Sequence, residues 1–322
     1  MNRNTIASII FAMGLGLANL VVAQSYPTRP INVVNPWPPG AVTDMLARLV
    51  AEGLRVELGQ PVIVENRTGA SGTLGSAYVA KSKPDGYTLL VTVSAPITTN
   101  PFLQKNYPFD PLKDLEPISM ATESALVFAV HPSLPARTIE EFVEYARKNP
   151  GKLSYATAGL GTAHHIVGET LKRELGIDMV HVPFRGGAPA AQALVAGTVP
   201  TGFNTVPSIL QQARAGRARI LATTRREPMP DLPDVPPISR VLPGFESVSW
   251  VGFFAPGGTA QPILQRLNAA LVKVIRTPEI ADKARAEGNI VVGSTAEALG
   301  RQVRSEIEKW GPIIKSLGIQ NE

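Results

Sequence analysis

The sequence predicts an α/β protein of two hinged lobes, each a mainly parallel sheet flanked by helices. Strand-like and helix-like segments alternate from residue 31 onward, the mark of βαβ units and parallel sheets. The alternation breaks and restarts after residue 120, and a lone strand-like run returns at 248–256 before three closing helical segments. At 322 residues the chain exceeds what one core covers. Strands crossing at about residues 124 and 249 divide it into a first lobe of 27–123 plus 250–322 and a second of 124–249, a clamshell.

In the first lobe, "INVVN" at 31–35 reads as a strand. Residues 42–59 read as a helix with Leu46, Leu49, Val50 and Leu54 on one face. "VIVEN" at 62–66 is a second strand, followed by a Gly-rich turn into a short helix. An Asp85-Gly86 turn then leads to a third strand ending at 93. The second lobe starts with a strand at 124–133. A helix over 138–151 follows, capped by Thr138 with Glu141 three residues on. Strands at 153–159, 179–184, 199–204 and 218–224 alternate with helices at 163–175, 188–197 and 207–216. A Pro-rich connection spans 228–243. In the closing helix Leu299, Val303, Ile307, Trp310 and Ile314 form one apolar stripe, and Pro312 is expected to kink it or start a separate turn.

Residues 1–23 read as a signal peptide: Arg3 precedes an uncharged run from Ile6 to Leu20, and Ala23 offers a small residue for cleavage. Gly14, Gly16 and Asn19 weaken the alternative of a retained anchor, so an exported, periplasmic protein cut after about Ala23 is expected. Cysteine is absent, which removes disulfides, thiolate nucleophiles, Cys-based metal sites and a lipid-bearing Cys tether. Net charge is +5, from 31 basic and 26 acidic residues dispersed along the chain, which argues against a nucleic-acid partner. No G-x-S-x-G elbow, H-E-x-x-H or G-x-x-x-x-G-K-[ST] occurs, so neither an enzyme nor a cofactor or metal is expected.

The loops after the strands share a composition. "NPWPPGAVTD" (35–44), "SAPITTN" from Ser94, "ATAGLGTAHH" (156–165) and "FNTVPS" (203–208) consist largely of Gly, Pro, Ala, Ser, Thr and Asn. Hydroxyls and bare amides beside helix N-termini form anion sites without a basic side chain. A ligand beyond the strands' carboxyl ends is the general expectation for such sheets.

At this point the chain resembles the Bug-type, TctC-like solute-binding proteins of tripartite tricarboxylate transporters. The stretches that carry the resemblance are "YPTRPINVVNPWPPGAVTD", "VIVENRTGASGTLGSAYVAKSKPDGYTLL", "AVHPSLPARTIEEFVEYARKNPGKLSYATAGLGTAHHIVGE", "HVPFRGGAPAAQALVAGTV" and "FFAPGGTAQPILQRLN". It implies a two-lobed, type II-like Venus-flytrap receptor, monomeric, that closes on a small carboxylate and delivers it to membrane permease subunits. A sensor presenting its solute to a histidine kinase is the alternative. Carried over residue by residue, it nominates Pro39, Gly40, Ala41, Thr43 and Asp44 in the first loop, with Asp44 expected to cap the helix. In the second lobe it nominates Thr157, Gly159, Gly161, Thr162 and Ala163, and the neighbouring loops add Ser94, Asn204 and Thr205. Ala41 replaces the family's usual glycine, and Asn204 stands where many members are acidic, which disfavours an amino-acid ligand.

Two residues stay open: Trp37 either stacks on an aromatic acid or joins the core, and His165 either touches ligand or packs. His131 and His181 read as structural, as do Gly69, Gly72 and Gly75. Arg225 and Arg226 read as a solvated surface pair, and Arg185 is the basic residue allowed near the cleft.

Overall fold

In the computed structural model the described residues are 26–318 apart from 160, 161, 185, 230 and 287. The signal peptide, Gly161 and Arg185 lie outside them. The first lobe begins with β1 (Ile31–Asn35), α1 (Val42–Leu58), β2 (Val62–Asn66), α2 (Thr73–Ala80) and β3 (Thr88–Val93). α1 forms because Leu46, Ala47, Val50, Ala51, Leu54 and Leu58 recur at helical spacing and are all buried. It stops at Gly59, whose φ of 69° closes the last turn in the left-handed region. That stripe packs with Ile31 and Val33 of β1 and with Leu264, Leu267 and Leu271 of α9 (Gln261–Ile275) in one core.

The segment after β3 is two single helical turns, α3 (Ala95–Thr98) and α4 (Asn100–Leu103), where the sequence suggests only a loop. Each has a proline in its first turn, Pro96 and Pro101, where a missing N–H costs nothing.

A 16-residue strand, β4 (Leu115–Val130), then passes from one lobe to the other. From Leu115 to Ala125 it pairs antiparallel with β9 (Val248–Pro256). From Leu126 to Val130 it pairs with β7 (Thr201–Thr205) and β8 (Arg219–Thr223). The strand begins nine residues before the expected 124. Its first half shifts register at Pro117/Ser119 and at Met120/Thr122, and such bulges break the alternation that marks a strand.

The second lobe continues with α5 (Ile139–Lys148), β5 (Leu153–Thr157), α6 (Ala163–Leu175), β6 (Met179–Pro183), α7 (Gly187–Val195) and α8 (Val206–Arg214). At α5 the Thr138 hydroxyl accepts the Glu141 N–H at 3.1 Å, and the Glu141 carboxylate reaches back to the Arg137 N–H at 2.6 Å. α10 (Pro278–Ala286), a two-residue β10 (Ile290–Val291) on β4 and α11 (Ala296–Leu317) complete the chain.

The sheets are mixed, which corrects the expectation of mainly parallel ones. β1 with β2 and β3, and β5 with β6 and β7, are parallel, as their helical crossovers require. Pairs made by β4 with β7 to β10, and by β3 with β9, are antiparallel because the crossing strands run through without such units.

α11 continues through Pro312 to Leu317, so no separate turn starts there. Burial on both sides of Pro312 holds it: Leu299 and Val303 pack with Trp250 and Phe254 of the first lobe. Trp310 and Ile314 join Phe128, Phe142 and Phe203 of the second. Among the described residues no helix is long and apolar enough to cross a membrane.

Candidate functional site

The loops nominated from sequence leave the carboxyl ends of β1, β3, β5 and β7 and run into α1, α3, α6 and α8. In the first loop Gly40 has φ 80°, a conformation that favours glycine, and the N-cap position is Ala41. Asp44 is not the cap but the third helical residue, which corrects the expectation. Its carboxylate folds back to accept the Gly40 N–H at 2.9 Å and is gripped by Arg48 at 3.0 and 3.1 Å. Asn66 of β2 adds a bond at 2.7 Å. Burial to 3% exposure would raise the Asp44 carboxyl, but the bonds from Arg48, Gly40 and Asn66 outweigh it and hold it at about 2. Asp44 is therefore an anionic clamp that shapes the loop, and the Gly40 amide is already used. The amides of Val42, Thr43 and Asp44 open α1 with no acceptor one turn back. Thr43 is buried and Pro39 exposed.

Trp37 is half-buried against α2's start: a Cβ on Gly72 would lie 3.1 Å from its ring and 2.8 Å from Pro96. A Cβ on Gly75 would lie 2.6 Å from the Arg67 carbonyl and 2.8 Å from Pro36. These glycines let the α2 segment press against the first loop. The indole Nε1 of Trp37 is buried with no hydrogen-bond partner.

In the second lobe the Thr157 hydroxyl lies 2.6 Å from His181 Nε2 and accepts the Gly159 N–H at 3.2 Å. Gly159, at φ 136°, in turn accepts the Thr162 hydroxyl at 2.7 Å. Thr162 caps α6, accepting the His165 N–H at 3.4 Å and leaving the amides of Ala163 and His164 without an acceptor among the described residues. His165 is buried, its ring stacked 4.0 Å from His181, which stacks 5.0 Å from Tyr155. Tyr155 donates to Glu169 at 2.6 Å, and Lys172 pairs with the same carboxylate. Burial, then the neighbouring His165, pushes His181 down to about 4, and burial also lowers His165. His165 thus packs. Its neighbour His164 has a buried Nε2 with no hydrogen-bond partner and is held at about 4 by burial.

Asn204, 1% exposed on β7, likewise has a buried Nδ2 without a partner, and Thr205 stands at the N-cap position of α8 beside it without a side-chain cap bond. Ser94 stands at the N-cap position of α3 without a side-chain cap bond, its carbonyl taken by Ile97 and Thr98. Trp37, His164 and Asn204 therefore each bring an unmet polar nitrogen to these loops, and such groups cost about 1–3 kcal/mol apiece unless something meets them.

Arg225 corrects its expectation. It is largely buried and binds Glu123 of β4 at 2.9 Å where the strand changes lobes. His131 bonds Ser133 at 2.7 Å. Among the described residues no cluster could hold a metal ion.

Residues 46–319 match the model of the tripartite tricarboxylate transporter family receptor. A protein of the tcbD-tcbE intergenic region of a Pseudomonas species is 36% identical, over 97% of this chain and 93% of its own. Protein BugT of Bordetella pertussis is 32% identical over 99% of both. Among solved structures, one from R. palustris with adipate has a TM-score of 0.74 at 32% identity, covering 92% of this chain and 99% of that one. MatC of Rhodopseudomonas palustris with bound malate has a TM-score of 0.70 at 32% identity, covering 90% and 100%. The likeness is to solute-binding receptors and not to enzymes, and the chain belongs to the tripartite tricarboxylate transporter family of receptors.

Proposed function

We propose that this receptor closes its two lobes, 27–123 with 250–322 and 124–249, on a small carboxylate and hands it to the permease of a tripartite tricarboxylate transporter. It acts as an exported monomer, cut after about Ala23. The observation that carries this is the pairing of open first-turn amides on α1 and α6 with the unmet nitrogens of Trp37, His164 and Asn204. Three or four bonds to a carboxylate, at about 1.5–3 kcal/mol each, approach the roughly 8 kcal/mol of a micromolar complex. Lobe closure excludes water and offsets the cost of association. The adipate and malate in the two R. palustris structures support the ligand class.

The test is thermal unfolding of refolded, ligand-stripped protein against mono-, di- and tricarboxylates, amino acids and cationic compounds. A ligand at a hundredfold its Kd adds about 2.7 kcal/mol, a rise of a few degrees. Stabilisation by carboxylates is expected. Stabilisation by neutral or cationic compounds alone would refute the anion cradle.

A further inference from the structure

Beside the first turn of α1 lies a cavity of about 150 Å³ that the loops do not use. Met45, Leu46 and Leu49 of α1 and Ala284 of α10 form its walls, together with Val251 and Thr122, which face each other across the β9–β4 ladder. Strand register fixes its height. Val34 of β1 pairs with Leu90 of β3. Three residues further along β3, Val93 pairs with Val251, itself paired with Thr122. At about 3.3 Å per residue, that row stands roughly 10 Å past Val34, beyond the end of β1. The cavity therefore shares the end of the lobe from which the first loop departs, and Met45 follows the three open amides directly.

Its lining is mostly apolar, with Thr122, Lys283 and Asn289 as the polar members. Leu46, Val251 and Ala284 are buried, while Met45 is 44% exposed and its flexible thioether can move aside. Thr122 is 1% exposed and its Oγ1 has no hydrogen-bond partner. A hydroxyl buried this way needs a partner to offset its lost hydration. A charge at the edge, Lys283, lies 3.4 Å from Glu279. An aliphatic-lined cavity of about 150 Å³ is the size that takes up benzene.

We infer that this cavity receives the body of the solute, a six-membered carbon ring bearing a hydroxyl. The carboxylate sits on the α1 amides and the ring hydroxyl bonds Thr122. The inference rests on the carboxylate reading of the cleft.

The experiment is calorimetric titration of the stripped protein with 4-hydroxybenzoate, benzoate and cyclohexanecarboxylate against acetate, malate and adipate. The ring acids should bind at least about tenfold tighter than acetate, the worth of a filled apolar pocket. Ala284→Phe, which fills the cavity, should weaken the ring acids about thirtyfold or more and leave acetate unchanged. Thr122→Val, which keeps the shape, should weaken 4-hydroxybenzoate about tenfold and spare benzoate. It keeps the test open if Ala284→Phe does not fold. Malate or adipate binding tightest, with both variants without effect on the ring acids, would overturn the inference and leave the cleft reading standing. Failure of every carboxylate to bind would overturn both.

Discussion

In the first lobe a buried carboxylate holds the loop that leads into α1, whereas in the second the matching loop rests on neutral rings and hydroxyls. Asp44 ties Gly40, Arg48 and Asn66 to one point. Thr157, Thr162 and the His165–His181–Tyr155 stack do the same work without a net charge in contact with the loop. Both arrangements leave helix-start amides open, so the scaffolds differ while the surface offered to an anion is alike. The difference bears on pH. Asp44 keeps its charge down to about 2, so the first loop's clamp, present above the ordinary 3.8, is lost only as pH falls through about 2. His181 is neutral in the fold down to about 4 against an ordinary 6.5. The stability its burial demands is full above 6.5 and is lost as pH falls from 6.5 toward 4.

The charged clamp should be the costliest of these features to break. Asp44→Ala strands the Gly40 amide and the Asn66 side chain and should cost about 2–4 kcal/mol in urea unfolding. A loss below that of the matching His181→Ala variant would reverse the ranking of the two loops. Next, Thr162→Trp fills the second loop and should weaken carboxylate binding more than about a hundredfold by calorimetry, with the circular dichroism spectrum unchanged. Unaltered affinity would remove that loop from the site. The pH contrast is smaller: Tm should fall between pH 6.5 and 4, and His181→Gln should flatten part of that fall while Asp44→Asn does not. Smallest is Thr138→Ala, away from both loops, which should cost about 1 kcal/mol through the lost α5 cap and leave binding intact.

Periodicity made most elements legible. The α1 stripe, the α6 span from Ala163 to Leu175 and the Thr138 cap stand in the structure where the residues put them. The start of β4 was hidden by its two register shifts, and α3 and α4 are too short to show a period. Within the site, the composition of the loops pointed to an anion cradle, but the partners of Asp44 did not follow from it. Arg48 is local, whereas Asn66 arrives only through the parallel register that sets it beside Asn35. The ring stack likewise depends on register, with Tyr155 opposite His181. Which of two adjacent histidines packs is a matter of helix phase against that stack, so His165 is covered and His164 brings the unmet nitrogen. Thr122 carried no sequence signal, since its partnerless hydroxyl is a property of three elements meeting.

One carboxylate engaging both loops at once should show in hydrogen–deuterium exchange on the stripped protein, measured with and without the most stabilising carboxylate. Slower exchange in 35–45 and 157–165 together, at a single ligand concentration dependence, is the expected result. Protection confined to one of these segments, or found only elsewhere, would contradict it.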